Sequence, residues 1–161
     1  MGIYEENLLA LKSKFPEVYD WLLREEEDQN VEIIRTKSGL NNLRFRGLPG
    51  EQVYLYHRGN PLQEERERCR DLEFSADKVT FLIGMGLGYL IEAIKNKIKA
   101  GHRIIVLERN ATVLKKAFAQ VDMARLMEED ILIFTLPDRE SLKARAMQYI
   151  ESHTGEVNLL W

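Results

Sequence analysis

The sequence has little of what marks disulfide-rich, metal-binding and membrane proteins. Cys69 is the single cysteine among 161 residues, which excludes an internal disulfide and a zinc site built from cysteines. The three histidines are dispersed along the chain, so we predict no metal site. No apolar run approaches the roughly 20 residues of a membrane-spanning helix, and the N-terminus lacks the basic and apolar regions of a signal peptide. We therefore expect a soluble cytoplasmic protein that binds no membrane.

Neither sign of charge dominates the chain. Lys and Arg total 23 against 26 Asp and Glu, a net charge of −3, and this balance predicts no nucleic-acid partner. The chain is 45% hydrophobic and 30% charged, which is typical of a globular protein with a buried core. Its length suits one compact domain or a small pair of units.

Residues 1–76 predict a small unit of helices and antiparallel strands. Apolar residues recur at helical spacing over 4–24, and Pro16 can begin a second helix within that stretch. Three short β-branched or alternating segments then predict an antiparallel meander: 31–36, 43–46 and 53–56. A charged helix over 62–72 connects this meander to the rest of the chain, and its Cys69 is interpreted as an inert thiol.

Residues 77–161 predict an α/β unit, a Rossmann-like three-layer parallel sheet. Asn110 and Asp138 are predicted to cap the N-termini of its second and third helices, and Gly101 to cap the C-terminus of the first. The segment 157–161 resembles the start of a fourth strand. Because an open α/β sheet seldom ends there, we expect the chain to be the N-terminal piece of a longer protein. Continuous apolar runs that alternate with the helices are the predicted parallel strands: 79–83, 104–107 and 131–134.

A glycine-rich loop joins the first parallel strand to its helix. Gly84, Gly86 and Gly88 alternate in this loop, and Tyr89 follows them. Glycines permit a tight turn and the close approach of a ligand, and the N-terminus of the following helix favours a phosphate or a carboxylate. We predict that these four residues bind a nucleotide-like ligand. The alternative is a turn that only packs the helix tightly on the sheet.

Two acidic residues are the predicted partners of this loop. Glu108 ends the next strand, twenty residues after Gly88, where an acid in nucleotide-binding sheets accepts hydrogen bonds from ribose hydroxyls. Asp138 follows the third strand, near the place of an adenine or a second ligand group. The alternatives are a solvated acid for Glu108 and an N-cap for Asp138. A cluster of Tyr54, Tyr56 and His57 beside Arg58 can line a cleft, but aromatic residues on a short strand are more often core or edge packing, which we favour.

The spacing of the glycines favours one class of cofactor over another. The dinucleotide pattern G-x-G-x-x-G requires a third glycine where this chain has Tyr89. The G-x-G-x-G spacing of S-adenosylmethionine-dependent methyltransferases is matched, although their acid two residues before the first glycine is replaced here by Leu82. A methyltransferase-like enzyme that uses S-adenosylmethionine is therefore one hypothesis.

Three parts of the sequence resemble the motility-associated factor (Maf) proteins. The first is Leu55-Tyr56-His57-Arg58-Gly59-Asn60-Pro61 with the acids of 64–65, although Asn60 stands where the family has Asp. The second is Gly84-Met85-Gly86-Leu87-Gly88-Tyr89 followed by Val106-Leu107-Glu108-Arg109-Asn110. The third is Asn7-Leu8-Leu9-Ala10-Leu11 with Phe15-Pro16. Together these parts extend over most of the chain.

The resemblance implies a place in a glycosylation pathway. Maf proteins are bacterial flagellin glycosyltransferases, which are thought to transfer nonulosonic acids from CMP-activated donors to Ser or Thr of flagellin. Their transferase core is a central domain, whereas this chain resembles only the Rossmann-like N-terminal domain. The resemblance therefore implies an accessory or nucleotide-binding part, with flagellin and the C-terminal remainder of its own chain as partners.

Three hypotheses thus stand side by side. The first is the N-terminal domain of a Maf-type glycosyltransferase that holds a nucleotide or a nucleotide-sugar. The second is the S-adenosylmethionine-dependent methyltransferase. The third is a non-catalytic interaction module that forms a homo-oligomer through an exposed sheet edge.

Overall fold

The computed structural model describes residues 2–47, 51–151 and 157–161. The chain begins with two helices, α1 (Ile3–Lys14) and α2 (Pro16–Arg24). Pro16 occupies the first turn of α2, where its missing N–H removes no helical hydrogen bond, and it prevents α1 from continuing. The predicted start of a second helix at this proline is confirmed.

The predicted antiparallel meander is present. It consists of β1 (Val31–Arg35), β2 (Asn41–Arg46) and β3 (Gln52–Tyr54), which pair in sequence order. Val31 pairs with Phe45, and Arg44 pairs with Tyr54. The residues that join β2 to β3 include 48–50, which lie outside the described residues.

The second half of the chain forms the Rossmann-like sheet that the apolar runs predict. Its strands are β4 (Val79–Ile83), β5 (Arg103–Leu107), β6 (Leu132–Phe134) and β7 (Val157–Leu160). The spatial order is β6-β5-β4-β7, and every pairing is parallel. The fourth strand predicted from 157 onward is therefore confirmed, and it lies on the opposite side of β4 from β5.

Five further helices accompany these strands among the described residues: α3 (Pro61–Arg68), α4 (Tyr89–Ile94), α5 (Ala111–Phe118), α6 (Ala124–Glu128) and α7 (Arg139–Ile150). The predicted caps of α5 and α7 are confirmed, because Asn110 accepts a hydrogen bond from Val113 N at 3.2 Å and Asp138 accepts one from Ser141 N at 2.8 Å. Within the described ranges, no helix combines the length and the apolarity needed to cross a membrane.

Two helices end earlier than the sequence predicts. α3 ends at Arg68 rather than at residue 72. α4 ends at Ile94, so Gly101 does not cap it and instead adopts a φ of +94° in the turn before β5. After α4 the chain bonds to the segment behind α3: Lys97 Nζ donates to the Cys69 carbonyl at 3.1 Å. The backbone N–H of Lys99 donates to the Phe74 carbonyl at 2.9 Å, a tertiary hydrogen bond in place of the helical one that periodicity suggests.

One core joins the first helices to the parallel sheet. Leu11, Phe15 and Leu22 are buried together with side chains of α5 and β6. The rings of Phe15 and Phe118 both pack edge-on against Phe134, with centroid distances of 6.1 and 5.6 Å. Residues on both sides of position 76, the predicted unit boundary, therefore contribute to the same apolar cluster.

Asn7 fastens α1 to the sheet unit by hydrogen bonds. Its Nδ2 donates to the Phe118 carbonyl at 2.9 Å and to the Val121 carbonyl at 2.8 Å, and its Oδ1 accepts from Met123 N at 2.8 Å. The side chain is fully buried. It satisfies three backbone groups at the end of α5 that would otherwise be cut off from water.

A second, smaller cluster fixes the meander against the glycine loop. Leu43 and Tyr56 from the meander side are buried against Leu87, Tyr89 and Val113. The rings of Tyr56 and Tyr89 pack edge-on with a centroid distance of 5.3 Å. This cluster determines which side chains of the meander reach the loop.

Candidate functional site

A cavity of about 310 Å³ lies at the carboxyl ends of the parallel strands. Its wall includes Gly84 after β4, Glu108 after β5 and Trp161 after β7. β5 and β7 flank β4 on opposite sides, so the strand order reverses at this point. Open α/β sheets bind their ligands in the crevice at such a reversal. The position of the cavity is thus that of a ligand site.

The three glycines of the loop have three different surroundings. All of them have positive φ, which L side chains rarely adopt. A Cβ on Gly84 would find nothing within 4 Å among the described residues, whereas one on Gly88 would meet Met123 Cε at 2.7 Å. A Cβ on Gly86 would overlap the Tyr56 hydroxyl. Among the three, only Gly84 therefore leaves open space, and Gly84 lines the cavity.

Tyr56 occupies the position where a ligand would approach the loop most closely. Its hydroxyl accepts a hydrogen bond from Leu87 N at 2.9 Å. Burial raises the pKa of the phenol far above its ordinary value, so the side chain stays neutral. Tyr56 is buried and also lines the cavity, but neither interpretation of the residue anticipates this contact with the loop. The resemblance segment at 55–61 contains the residue, but local sequence does not reveal its contact with the loop.

Glu108 holds two loops together at the cavity wall. Its Oε2 accepts a hydrogen bond from Met85 N at 2.8 Å, and its Oε1 accepts one from Asn110 N at 2.9 Å. The residue is 8% exposed, so it is not a solvated acid. Its carboxylate joins the glycine loop to the β5–α5 turn, and it lines the cavity as the predicted ligand role requires.

Gly88, Tyr89 and Asp138 do not belong to the cavity wall. Tyr89 turns toward the meander, where its hydroxyl donates to the Asn41 carbonyl at 2.9 Å. Asp138 is exposed at the N-terminus of α7, and the N–H and hydroxyl of Ser141 lower the pKa of its carboxyl. The structure thus brings together Gly84, Gly86 and Glu108 from the predicted set and places the other three elsewhere.

Helix α3 supplies the part of the wall that sequence reasoning missed. Glu64, Glu65 and Arg68 all line the cavity. Glu64 Oε2 accepts a hydrogen bond from His57 N at 2.9 Å. The charged residues around Glu65 predict a solvated helical face, yet Glu65 is only 4% exposed. The sequence does contain an indication of this burial, because Glu65 lies three residues after Leu62 and four before Cys69, on the same helical face.

Glu65 is also electrostatically unusual. Among the described residues its Oε2 has no hydrogen-bond partner. Arg68 Nε lies 3.2 Å away, which is an ion-pair distance without hydrogen-bond alignment, and the arginine is partly exposed. Burial is the main reason that the pKa of Glu65 is raised, and Arg68 opposes the rise.

The cysteine and the described histidines make structural contacts. Cys69 is buried, and burial raises the pKa of its thiol, so the nucleophilic thiolate is disfavoured. His57 Nδ1 accepts a hydrogen bond from Gly59 N at 3.2 Å, and His102 Nε2 lies 2.9 Å from Thr80 Oγ1, while His153 lies outside the described residues. Within 2–47, 51–151 and 157–161, no three His, Cys, Asp or Glu side chains cluster as metal ligands would.

No family model and no curated protein matches the sequence. The structure is similar to that of a Maf glycosyltransferase from Magnetospirillum magneticum AMB-1, with a TM-score of 0.69 and 16% identity over 98% of this chain. The chain has a Maf-like fold. It spans 32% of the length of that Maf glycosyltransferase.

A second solved structure gives a much weaker similarity. It is the Aeropyrum pernix fibrillarin with bound S-adenosyl-L-methionine, at a TM-score of 0.32 and 16% identity over 80% of this chain and 59% of that one. Similarity at this level supports no inference about the cofactor of the present chain.

Proposed function

We propose that this chain is an accessory part of a cytoplasmic Maf-type glycosyltransferase and that it binds a nucleotide-like ligand in the cavity beside the glycine loop. The observation that carries the proposal is the position of the cavity at the reversal of strand order, between Gly84 and Glu108. The Maf-like fold and the sequence resemblance support the glycosyltransferase context.

The state of the loop limits how such a ligand can bind. Two N–H groups that phosphate oxygens would use are already engaged, because Met85 N donates to Glu108 and Leu87 N donates to Tyr56. Gly88 N donates to the Met85 carbonyl. We therefore place the nucleoside part of the ligand in the cavity and its phosphate outside the loop, on the side of the partly exposed Arg68.

We assign the sugar-transfer step to another part of the glycosyltransferase. Two of the three carboxylates of the cavity wall act as structural groups: Glu64 holds the backbone of His57, and Glu108 holds two loop N–H groups. This chain then contributes by holding a CMP-type nucleotide or nucleotide-sugar, or by positioning flagellin.

A thermal-shift experiment tests ligand binding. The probes are CMP, CMP-sialic acid, UDP-sugars, NAD, S-adenosylmethionine and S-adenosylhomocysteine at about 1 mM. A ligand present at 100 times its Kd stabilises the folded state by about 2.7 kcal/mol. In a chain of this size that corresponds to an increase in Tm of roughly 5–10 °C. We expect the cytidine nucleotides to produce such a shift.

Two variants localise the binding. Leu55 lines the cavity and is partly exposed, so Leu55→Trp should fill the space without burying a polar group. Val53 is exposed on the preceding strand and does not line the cavity, which makes Val53→Trp the matched control. The shift should disappear in Leu55→Trp and persist in Val53→Trp. A shift with S-adenosylmethionine alone would redirect the assignment to a methyltransferase, and no shift with any probe would favour the interaction module.

The pathway is tested separately in a flagellated source organism. Deletion of the gene should abolish the glycan on flagellin, which intact-mass spectrometry of purified filaments detects. Unchanged flagellin mass in the deletion strain would remove the glycosylation context while leaving the ligand-binding result unaffected.

A further inference from the structure

The most unusual polar group of the cavity is the Glu65 carboxylate. It is buried at 4% exposure on α3, and its Oε2 has no hydrogen-bond partner among the described residues. The neighbouring Arg68 offsets part of its charge without donating an aligned hydrogen bond. Buried polar atoms in folded proteins nearly always make hydrogen bonds, so a buried carboxylate oxygen that makes none requires a reason.

Stability does not supply that reason. Taking a carboxylate out of water without a compensating hydrogen bond is unfavourable. The same helical face presents Leu62 and buried Cys69, so an apolar side chain at position 65 would continue an apolar surface. The residue type at this position is therefore explained better by a group that arrives from outside the chain.

The wall of the cavity indicates which chemistry that group has. Among the described lining residues, the carboxylates of Glu64, Glu65 and Glu108 stand against the single guanidinium of Arg68. This excess of carboxylates favours an uncharged group that donates hydrogen bonds in the interior of the cavity, and it leaves the side of Arg68 for a phosphate. Apolar side chains such as Ile83 complete the lining and can pack against the C–H face of a ring.

Size restricts the ligand further. Small-molecule pockets range over roughly 300–1,000 Å³, and the cavity of about 310 Å³ lies at the small end. A nucleoside, with a flat base and a ribose that carries hydroxyl donors, satisfies both the size and the donor requirement.

We propose that Glu65 is a specificity-determining residue whose Oε2 accepts a hydrogen bond from a ribose hydroxyl of the bound nucleoside. This inference rests on the proposed function, because it names the contact that selects the ligand of the same cavity. It assigns ribose recognition to α3, whereas Glu108, the acid at the strand end, is already engaged with two backbone N–H groups.

Isothermal titration of the full chain tests the contact by changing both of its partners. The probes are cytidine and 2′,3′-dideoxycytidine, which lacks both ribose hydroxyls. The wild type should bind cytidine about 10-fold or more tightly than the dideoxynucleoside, as expected for a hydrogen bond to a charged group. In Glu65→Leu this preference should fall to within about 2-fold.

Glu67→Leu is the matched control. Glu67 lies on the same helix, is exposed and does not line the cavity, so its replacement should leave the preference for cytidine unchanged. Glu65→Gln provides a second variant if the leucine prevents folding. Its side chain is of similar size and uncharged, and it should weaken the preference for cytidine at an unchanged or higher Tm.

The outcomes separate this inference from the proposed function. If the wild type binds cytidine and the Glu65 variants retain its full preference over the dideoxynucleoside, the Glu65 contact is wrong and the ligand site stands. If the wild type shows no preference between the two probes, the ribose assignment is likewise overturned. If neither cytidine nor CMP binds, the proposed function fails and this inference fails with it.

Discussion

Replacement of Gly86 by alanine tests the contact between the meander and the glycine loop. The backbone at Gly86 has a φ of +56°, and an L residue in that conformation costs about 1–2 kcal/mol. The new Cβ would also overlap the Tyr56 hydroxyl and lie 2.7 Å from Leu55 Cδ2. Displacing the phenol leaves the buried Leu87 N–H without its acceptor, which costs about 1–3 kcal/mol more.

The expected loss of stability is therefore about 2–5 kcal/mol, measured by urea unfolding. In a chain of this length it corresponds to a fall in Tm of roughly 4–20 °C. Gly39→Ala is the matched control, because Gly39 has a φ of +83° and a Cβ there would meet nothing within 4 Å among the described residues. It should lose only the conformational part, about 1–2 kcal/mol.

A double mutant identifies the contact responsible. Tyr56→Phe removes the hydroxyl that the new methyl group would displace, and both substitutions break the same hydrogen bond to Leu87 N. The effects of Gly86→Ala and Tyr56→Phe should therefore be non-additive by about 1 kcal/mol or more. Additive effects, or a Gly86→Ala variant as stable as Gly39→Ala, would refute the reasoning.

Four further predictions concern stability. Asn7→Ala should lower the free energy of unfolding in urea by about 3–6 kcal/mol, because it leaves three buried backbone groups unpaired; a loss below about 1 kcal/mol would contradict that account. Glu108→Ala should lower it by about 2–4 kcal/mol, even without ligand, because two loop N–H groups lose their acceptor; unchanged urea unfolding would refute the bridging role. Glu65→Gln should raise Tm near neutral pH and leave it unchanged near pH 4, because the raised pKa of Glu65 means that stability is lost as the carboxyl ionises; the reverse order would be inconsistent with burial. The pKa of Asp138 is lowered, so the stability that its carboxylate adds is present above its ordinary pKa and is lost as the pH falls below that value. Asp138→Asn should keep the cap but reduce the fall of Tm at acidic pH, which a series of Tm measurements against pH detects.

Local patterns predict the parallel sheet well. β4, β5 and β6 are largely apolar runs, and a strand buried on both faces carries that signature within its own residues. The caps at Asn110 and Asp138 are equally local, since each side chain bonds to an N–H three residues ahead. Such features depend on a few neighbouring residues, and sequence is sufficient for them.

The contacts that define the site are of another kind. Tyr56 and Leu87 are 31 positions apart, and Asn7 bonds to backbone groups more than 110 positions away. These pairs form only after the meander and α1 pack on the sheet unit, so no local pattern indicates them. Glu65 is an intermediate case: the helical face it shares with Leu62 and Cys69 indicates burial, but its charge suggests a solvated face.

Tyr56, which packs against the glycine loop, shows that the backbone shape of such a loop and its ability to bind an anion are two separate properties. A strand, alternating glycines and a helix form the backbone shape of an anion-binding loop. Whether the N–H groups of that loop are free to bind an anion depends on a residue far upstream in the sequence. Two proteins with identical loops would thus differ in phosphate affinity if one carried a small side chain at the position of Tyr56. When nucleotide binding is inferred for proteins of this fold, the residue at the position of Tyr56 should therefore be compared first, and the glycines second.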